Sequence, residues 1–133
     1  MTFVKFRNGR MEAIPRDAIV SVLERHGCRM PQLCEGRNQI GLPYDEAGRS
    51  PFGEDALLAV KYGEVMEFGL SRPRATAECR ALLFSLINDV RLTMFPDHGG
   101  EIFARADVLG DIPQDILNRF SNRVVVTRSE DCI

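Results

Sequence analysis

An α+β fold, with an antiparallel sheet packed on one long amphipathic helix and two shorter helices, is what this sequence predicts. Three observations lead there. Short runs rich in β-branched and aromatic residues are separated by turn dipeptides such as Asn8-Gly9, Tyr62-Gly63 and Gly99-Gly100. One extended stretch, Ala75, Cys79, Leu82, Leu83, Leu86, Ile87 and Val90, repeats at the helical period of about 3.6 residues. The 133 residues, 44% hydrophobic and 27% charged, suit one domain spanning 1–133 that buries a core without disulfide or metal.

The elements follow in order. "TFVKFR" at 2–7 reads as a strand, "NGR" as a tight turn with positive φ, and "MEAI" as a short returning strand. Pro15 opens a helix, because its missing N–H is not needed in the first turn. Ile19, Val22, Leu23 and His26 share one face of that helix, and Gly27 stops it. "QIGL" at 39–42 is a possible strand, and "PYDEAGRSPFGED" after it reads as a long surface loop. "ALLAVKYGEVMEFGLSR" at 56–72 is a hairpin whose second strand should place Met66, Phe68 and Leu70 on one face. The long helix is expected over 73–91, and "LTMF" and "EIFARA" form a strand pair. A short helix capped by Asp111 buries Ile112, Ile116, Leu117 and Phe120, and "RVVVTR" closes the chain as a strand.

Charge and cysteine usage narrow the function classes. The formal charge is −2, so non-specific nucleic-acid binding is not expected. Residues 1–50 carry eight Lys/Arg against six Asp/Glu, and residues 51–133 carry nine against thirteen, so the larger part offers an acidic surface suited to a basic partner. Cys28, Cys34, Cys79 and Cys132 form no Cys-x-x-Cys pair; Cys79 reads as a buried thiol, and a Cys28–Cys34 disulfide is open. No apolar run has signal-peptide or membrane-spanning length, and a reducing cytoplasm is the expected compartment. Phosphate-loop, dinucleotide-binding and nucleophile-elbow motifs do not occur.

Two segments stand out as candidate sites. In the 43–55 loop, Tyr44 and Phe52 stand among Asp45, Glu46, Glu54 and Asp55, an arrangement of aromatic anchors with a charged rim. The alternative is that both rings tuck back onto the domain. In "PDHGG", Pro96, Asp97, Gly99 and Gly100 supply what a tight connection needs, which leaves His98 and Glu101 for contact with a partner or a ligand. A catalytic zinc site needs three protein ligands, and His26, the other histidine, sits on an apolar helix face. Arg72, Arg74 and Arg80 could meet an anion at the start of the long helix. Glu64 and Glu67, three apart in a strand, are expected on opposite faces.

In size, acidic balance and element order, and most of all through "SPFGEDALLAVKYGEVMEF" and "LTMFPDHGGEIFARAD", the chain resembles the small immunity proteins that neutralise interbacterial toxins delivered by type VI secretion or contact-dependent systems. The resemblance implies a cytoplasmic inhibitor that binds a cognate protein toxin, occludes its active site with acidic side chains and performs no turnover. It implies no catalytic residue, metal, cofactor, nucleic-acid contact or membrane contact. The competing expectations are a small enzyme or a ligand- or metal-binding domain using the 97–101 tip, and a homo-oligomer such as a homodimer.

Overall fold

A computed structural model describes residues 1–133. Eight strands form one sheet: β1 Thr2–Arg7, β2 Arg10–Glu12, β3 Gly36–Ile40, β4 Asp55–Lys61, β5 Glu64–Ser71, β6 Thr93–Phe95, β7 Glu101–Ala104 and β8 Asn122–Val125. The helices are α1 Arg16–Arg25, α2 Ala77–Asn88 and α3 Gln114–Leu117. Strand order is β3-β4-β5-β1-β6-β7-β8, with β2 paired to β1 beside that path. No helix is long and apolar enough to cross a membrane.

The fold is α+β, but several expected details change. The sheet is mixed, because β7 and β8 run parallel. Parallel neighbours need a crossover rather than a hairpin, and residues 105–121, with a 3-10 turn and α3, supply it. The expected single long helix does not form either: α2 has 12 residues against 10 in α1, and it is shorter than its apolar stripe. Arg72 is left-handed (φ 47°), and Arg74 donates its backbone N–H to the Phe52 carbonyl, so 72–75 is a strap and not a first turn. Thr76 then caps α2, its hydroxyl accepting the Cys79 N–H at 3.0 Å. At the other end Arg91 is left-handed (φ 63°) and the Leu92 N–H returns to the Leu86 carbonyl, closing α2 before Val90 can extend it.

The pleat of β1 feeds two cores. Phe3 enters the larger one with Phe68, Leu58, Leu82, Leu86 and the buried face of α1. Val4 and Phe6 join Ile102, Ala104, Val108, Ile112 and Leu117 in a second cluster. Successive strand side chains point to opposite faces, so α3 covers the side of the sheet away from α2. Ile116 and Phe120 pack on that second cluster, as their helical spacing predicts. Asp111 caps no helix; its carboxylate accepts the Asn8 N–H at 3.1 Å and its carbonyl accepts the Gly9 N–H, which pins the β1–β2 turn.

The β4–β5 hairpin turns at Tyr62-Gly63, both at positive φ. Its register shifts between Ala59 and Val60: Ala59 faces Glu67 and Val60 faces Val65, leaving Met66 without a partner. The extra residue reverses the parity upstream of it. Val65 is therefore buried with Phe68 and Leu70, where Met66 was expected. By the same alternation Glu64 and Glu67 fall on one face, not on opposite ones. The bulge lies where β1 leaves β5 for β2, and the Ile14 N–H bonds the Val65 carbonyl there.

Leu86→Ala in the larger core should destabilise the protein by about 2–5 kcal/mol. Leu117→Ala, in a cluster of seven buried residues against twenty-seven, should cost less, because α3 has one turn and can settle onto the gap. Urea denaturation of both variants measures this; equal losses would contradict it.

Candidate functional site

Strand register brings the two candidate segments to one end of the sheet. Ile40 pairs with Ala56, Asp55 with Ser71, Gly69 with Thr2 and Thr2 with Phe95. The loop between β3 and β4, the residues after β5, the start of β1 and the β6–β7 turn therefore all emerge at that end. The β5 and β1 strands lie between β4 and β6, so the two segments rise from strands about 14 Å apart, three strand spacings.

The Met1 amino group stands between them. It donates to the Leu70 carbonyl at 3.2 Å and pairs with Asp97 at 2.6 Å, and Met1 itself is buried. That hydrogen bond and charge hold the Asp97 carboxyl below its ordinary value of 3.8. Asp97, expected to be free for a partner, thus already neutralises a buried cation, though its outer edge stays exposed. His98 and Glu101 are exposed. Gly99 takes positive φ (91°) as the turn requires, while a Cβ at Gly100 would meet only the rotatable Ser121 hydroxyl. No three His, Cys, Asp or Glu side chains converge at the tip or elsewhere in a group able to hold a metal ion.

The 43–55 loop divides its candidate residues. Phe52 is 3% exposed and packs edge-on to His26, with ring centroids 6.4 Å apart. It is a core residue, not an anchor for a partner: the apolar ring gains more by joining the α1–α2 contact than by standing in water. Tyr44 is the opposite case, 57% exposed. Asp45 turns inward on its own loop, accepting the Ala47 and Arg49 N–H groups, both at 2.9 Å. The Arg49 N–H above all lowers its pKa. Glu46 is exposed, Glu54 pairs with Arg72 at 3.1 Å, and Asp55 accepts a hydrogen bond from Gln39 at 3.0 Å.

These acids do not make an acidic patch. A cleft of about 320 Å³ opens between Tyr44, Arg49, Glu54, Arg72 and Arg74, so three arginines and one glutamate share its lining. Arg72 and Arg74 were expected beside Arg80 at a helix start; they sit instead in the strap before it, and Arg80 does not line the cleft. Arg49 was not singled out from the sequence, because nothing local in "EAGRSP" marks it. Only the Gly53 approach to β5 brings it to the two other arginines.

His26, packed beneath the 43–55 loop against Phe52, has its Nε2 3.0 Å from the Ser85 hydroxyl, and burial lowers its pKa. All four cysteines are free thiols, Cys28 and Cys34 included. Burial raises Cys28 and Cys79 to about 11 and Cys132 to about 12, which keeps all three protonated and poorly nucleophilic at neutral pH.

No family model, curated protein or solved structure matches the chain.

Phe52→Ala should cost about 3–5 kcal/mol of stability, while Tyr44→Ala should change it by less than about 0.5 kcal/mol. Thermal melts of the two variants check this assignment of core and surface. Among the groups with lowered pKa values, His26 and Asp97 both contribute to the acid limit. Both folded-state values lie below the unfolded ones, so both contributions are complete above the unfolded pKa and lost as pH falls through the folded one. Stability should first decline below about pH 6.5 as His26 is protonated, and again below about pH 4 as Asp97 is. His26→Gln should remove the first step, and Asp97→Asn should shrink the second, which Asp45, Asp107 and Asp131 share because their carboxyls are lowered as well, as read from melting temperature against pH.

Proposed function

We propose that the protein is a stoichiometric inhibitor of a cognate bacterial toxin, an immunity protein that docks through the end of the sheet described above and covers the toxin's active site without turnover. The observation that carries the reading is the register: two segments about fifty residues apart in the chain, each with exposed polar or aromatic side chains, emerge at the same end of the sheet. Tyr44 is the anchor, since an exposed aromatic gains most from desolvation at the centre of an interface. Glu46, Asp55, His98 and Glu101 form the rim, with the outer edges of Asp45, Glu54 and Asp97. Phe52 supports the loop from beneath. Four free thiols suit the reducing cytoplasm in which such a protein would meet its toxin.

The surface is mixed in sign, so charge supplies orientation more than bulk attraction. The acids lie outermost and the arginines lie in the cleft, which favours a partner with basic groups around an acidic or anionic projection.

Co-purification with the toxin encoded beside the gene tests the reading. A one-to-one complex is expected, with Tyr44→Ala weakening it at least about tenfold, mainly through faster dissociation. Tyr62→Ala, at the opposite end of the sheet, should leave affinity unchanged. A purified chain that forms no complex at micromolar concentration, or one that Tyr62→Ala weakens and Tyr44→Ala does not, would sink the proposal.

A further inference from the structure

The arginine cleft is a built feature and not a chance meeting of long side chains. Its floor depends on Gly53, where a Cβ would stand 2.7 Å from the Ser71 carbonyl oxygen and 3.1 Å from that of Arg72. Glycine alone lets the loop lie this close to the end of β5. Three hydrogen bonds then tie loop to strap: Glu54 N–H to the Ser71 carbonyl, Arg74 N–H to the Phe52 carbonyl, and Arg74 Nη1 to the Ser50 carbonyl at 3.2 Å. Thr76 adds a fourth, its hydroxyl donating to the Pro51 carbonyl at 2.6 Å. Arg72 is held left-handed (φ 47°), a conformation unfavourable for a long side chain and kept only where its surroundings enforce it. On the far wall, the Asp45 carboxylate fixes the turn that carries Arg49.

The chemistry of the lining specifies a ligand. Each guanidinium has five N–H donors. Arg72 spends one on Glu54 and Arg74 spends one on Ser50, so most remain free to face the cleft. Three positive side chains stand against Glu54, with the Asp45 carboxylate near enough to act on Arg49 and Arg74, so the cleft stays net positive. A phosphate monoester, near −2 at neutral pH and rich in acceptor oxygens, offers three forked donors more partners than a single carboxylate does. Tyr44 is the one apolar group in the lining, and its exposed ring can lie against a planar ring. The volume, about 320 Å³, lies at the small end of ligand pockets, which run from about 300 to 1,000 Å³.

We propose that the cleft between Arg49, Arg72, Arg74 and Tyr44 binds a small phosphate monoester carrying a planar ring, the guanidinia taking the phosphate and Tyr44 the ring. A mononucleotide has this chemistry. The site does not rest on the toxin reading, although both use Tyr44 and Glu54.

Calorimetric titration of the full chain with adenosine monophosphate, inorganic phosphate and adenosine, at about 150 mM salt to screen loose ion pairing, tests it. Saturable one-to-one binding is expected for the monophosphate, weaker binding for phosphate and the weakest for adenosine. Arg49→Gln should weaken the first two by about tenfold or more. Arg72→Asn should do the same, with asparagine chosen because it tolerates the left-handed backbone. Tyr44→Ala should weaken the monophosphate and leave phosphate unchanged. Circular dichroism confirms that each variant folds. The site is overturned if monophosphate and phosphate fail to saturate at millimolar concentration, or if folded Arg49→Gln and Arg72→Asn bind as the parent does. Equal affinity for monophosphate and phosphate, with Tyr44→Ala silent, would overturn the ring's part. The titration contains no toxin, so its failure and that of co-purification are separate results.

Discussion

The position of β1 in the middle of the sheet is the constraint on which the rest depends. Its first half pairs with β5 on one side and β6 on the other, and its second half with β2. Its alternation sends Phe3 to one core and Val4 and Phe6 to another. A strand buried on both faces fixes register strongly, because a slip of one residue would exchange its two apolar sets. That register in turn decides which loops share an end of the sheet. The site is therefore a consequence of pairing: Thr2 meeting both Gly69 and Phe95 is what brings the 43–55 loop and the 96–100 turn to the same end of the sheet.

The Met1 amino group and Asp97 make the same point at atomic scale. A buried ammonium is tolerated only with partners, and it finds the Leu70 carbonyl and the Asp97 carboxylate. Asp97 in the β6–β7 turn is thereby tied to the end of β5. On the other side of β1, the Gly53 contact, the Arg74 clamp and the Asp45 turn leave the loop little freedom where it borders the cleft. Preorganisation of this kind reduces the ordering that binding would otherwise require, for a protein or a small ligand.

Much of the fold was legible because its signals are local. Asn8-Gly9 and Tyr62-Gly63 turn at positive φ, the apolar spacing of α1 and α2 marks their buried faces, and both strand pairs sit near their expected ranges. The errors share a different origin. The Met66 bulge, the parallel β7–β8 pair and the strap that delays α2 each arise from contacts made across the chain. Among candidate site residues, exposure followed the sequence reading for Tyr44, Glu46, His98 and Glu101. It did not for Phe52, since a ring beside charged residues carries no local mark of whether it faces water or His26.

By itself the sequence determined the class of fold, the helical and strand periods, the tight turns and which segments are polar enough to remain outside, because each depends on residues within a turn or two of one another. Only the tertiary structure decided the sign of the surface at the sheet end. Composition made the loop acidic, yet Asp45 is consumed by its own turn and Glu54 by Arg72, while Arg49, Arg72 and Arg74 converge from both sides of the β4–β5 hairpin. Charge along a chain adds up residue by residue, but the field at a cleft depends on which side chains folding places there and which are already satisfied.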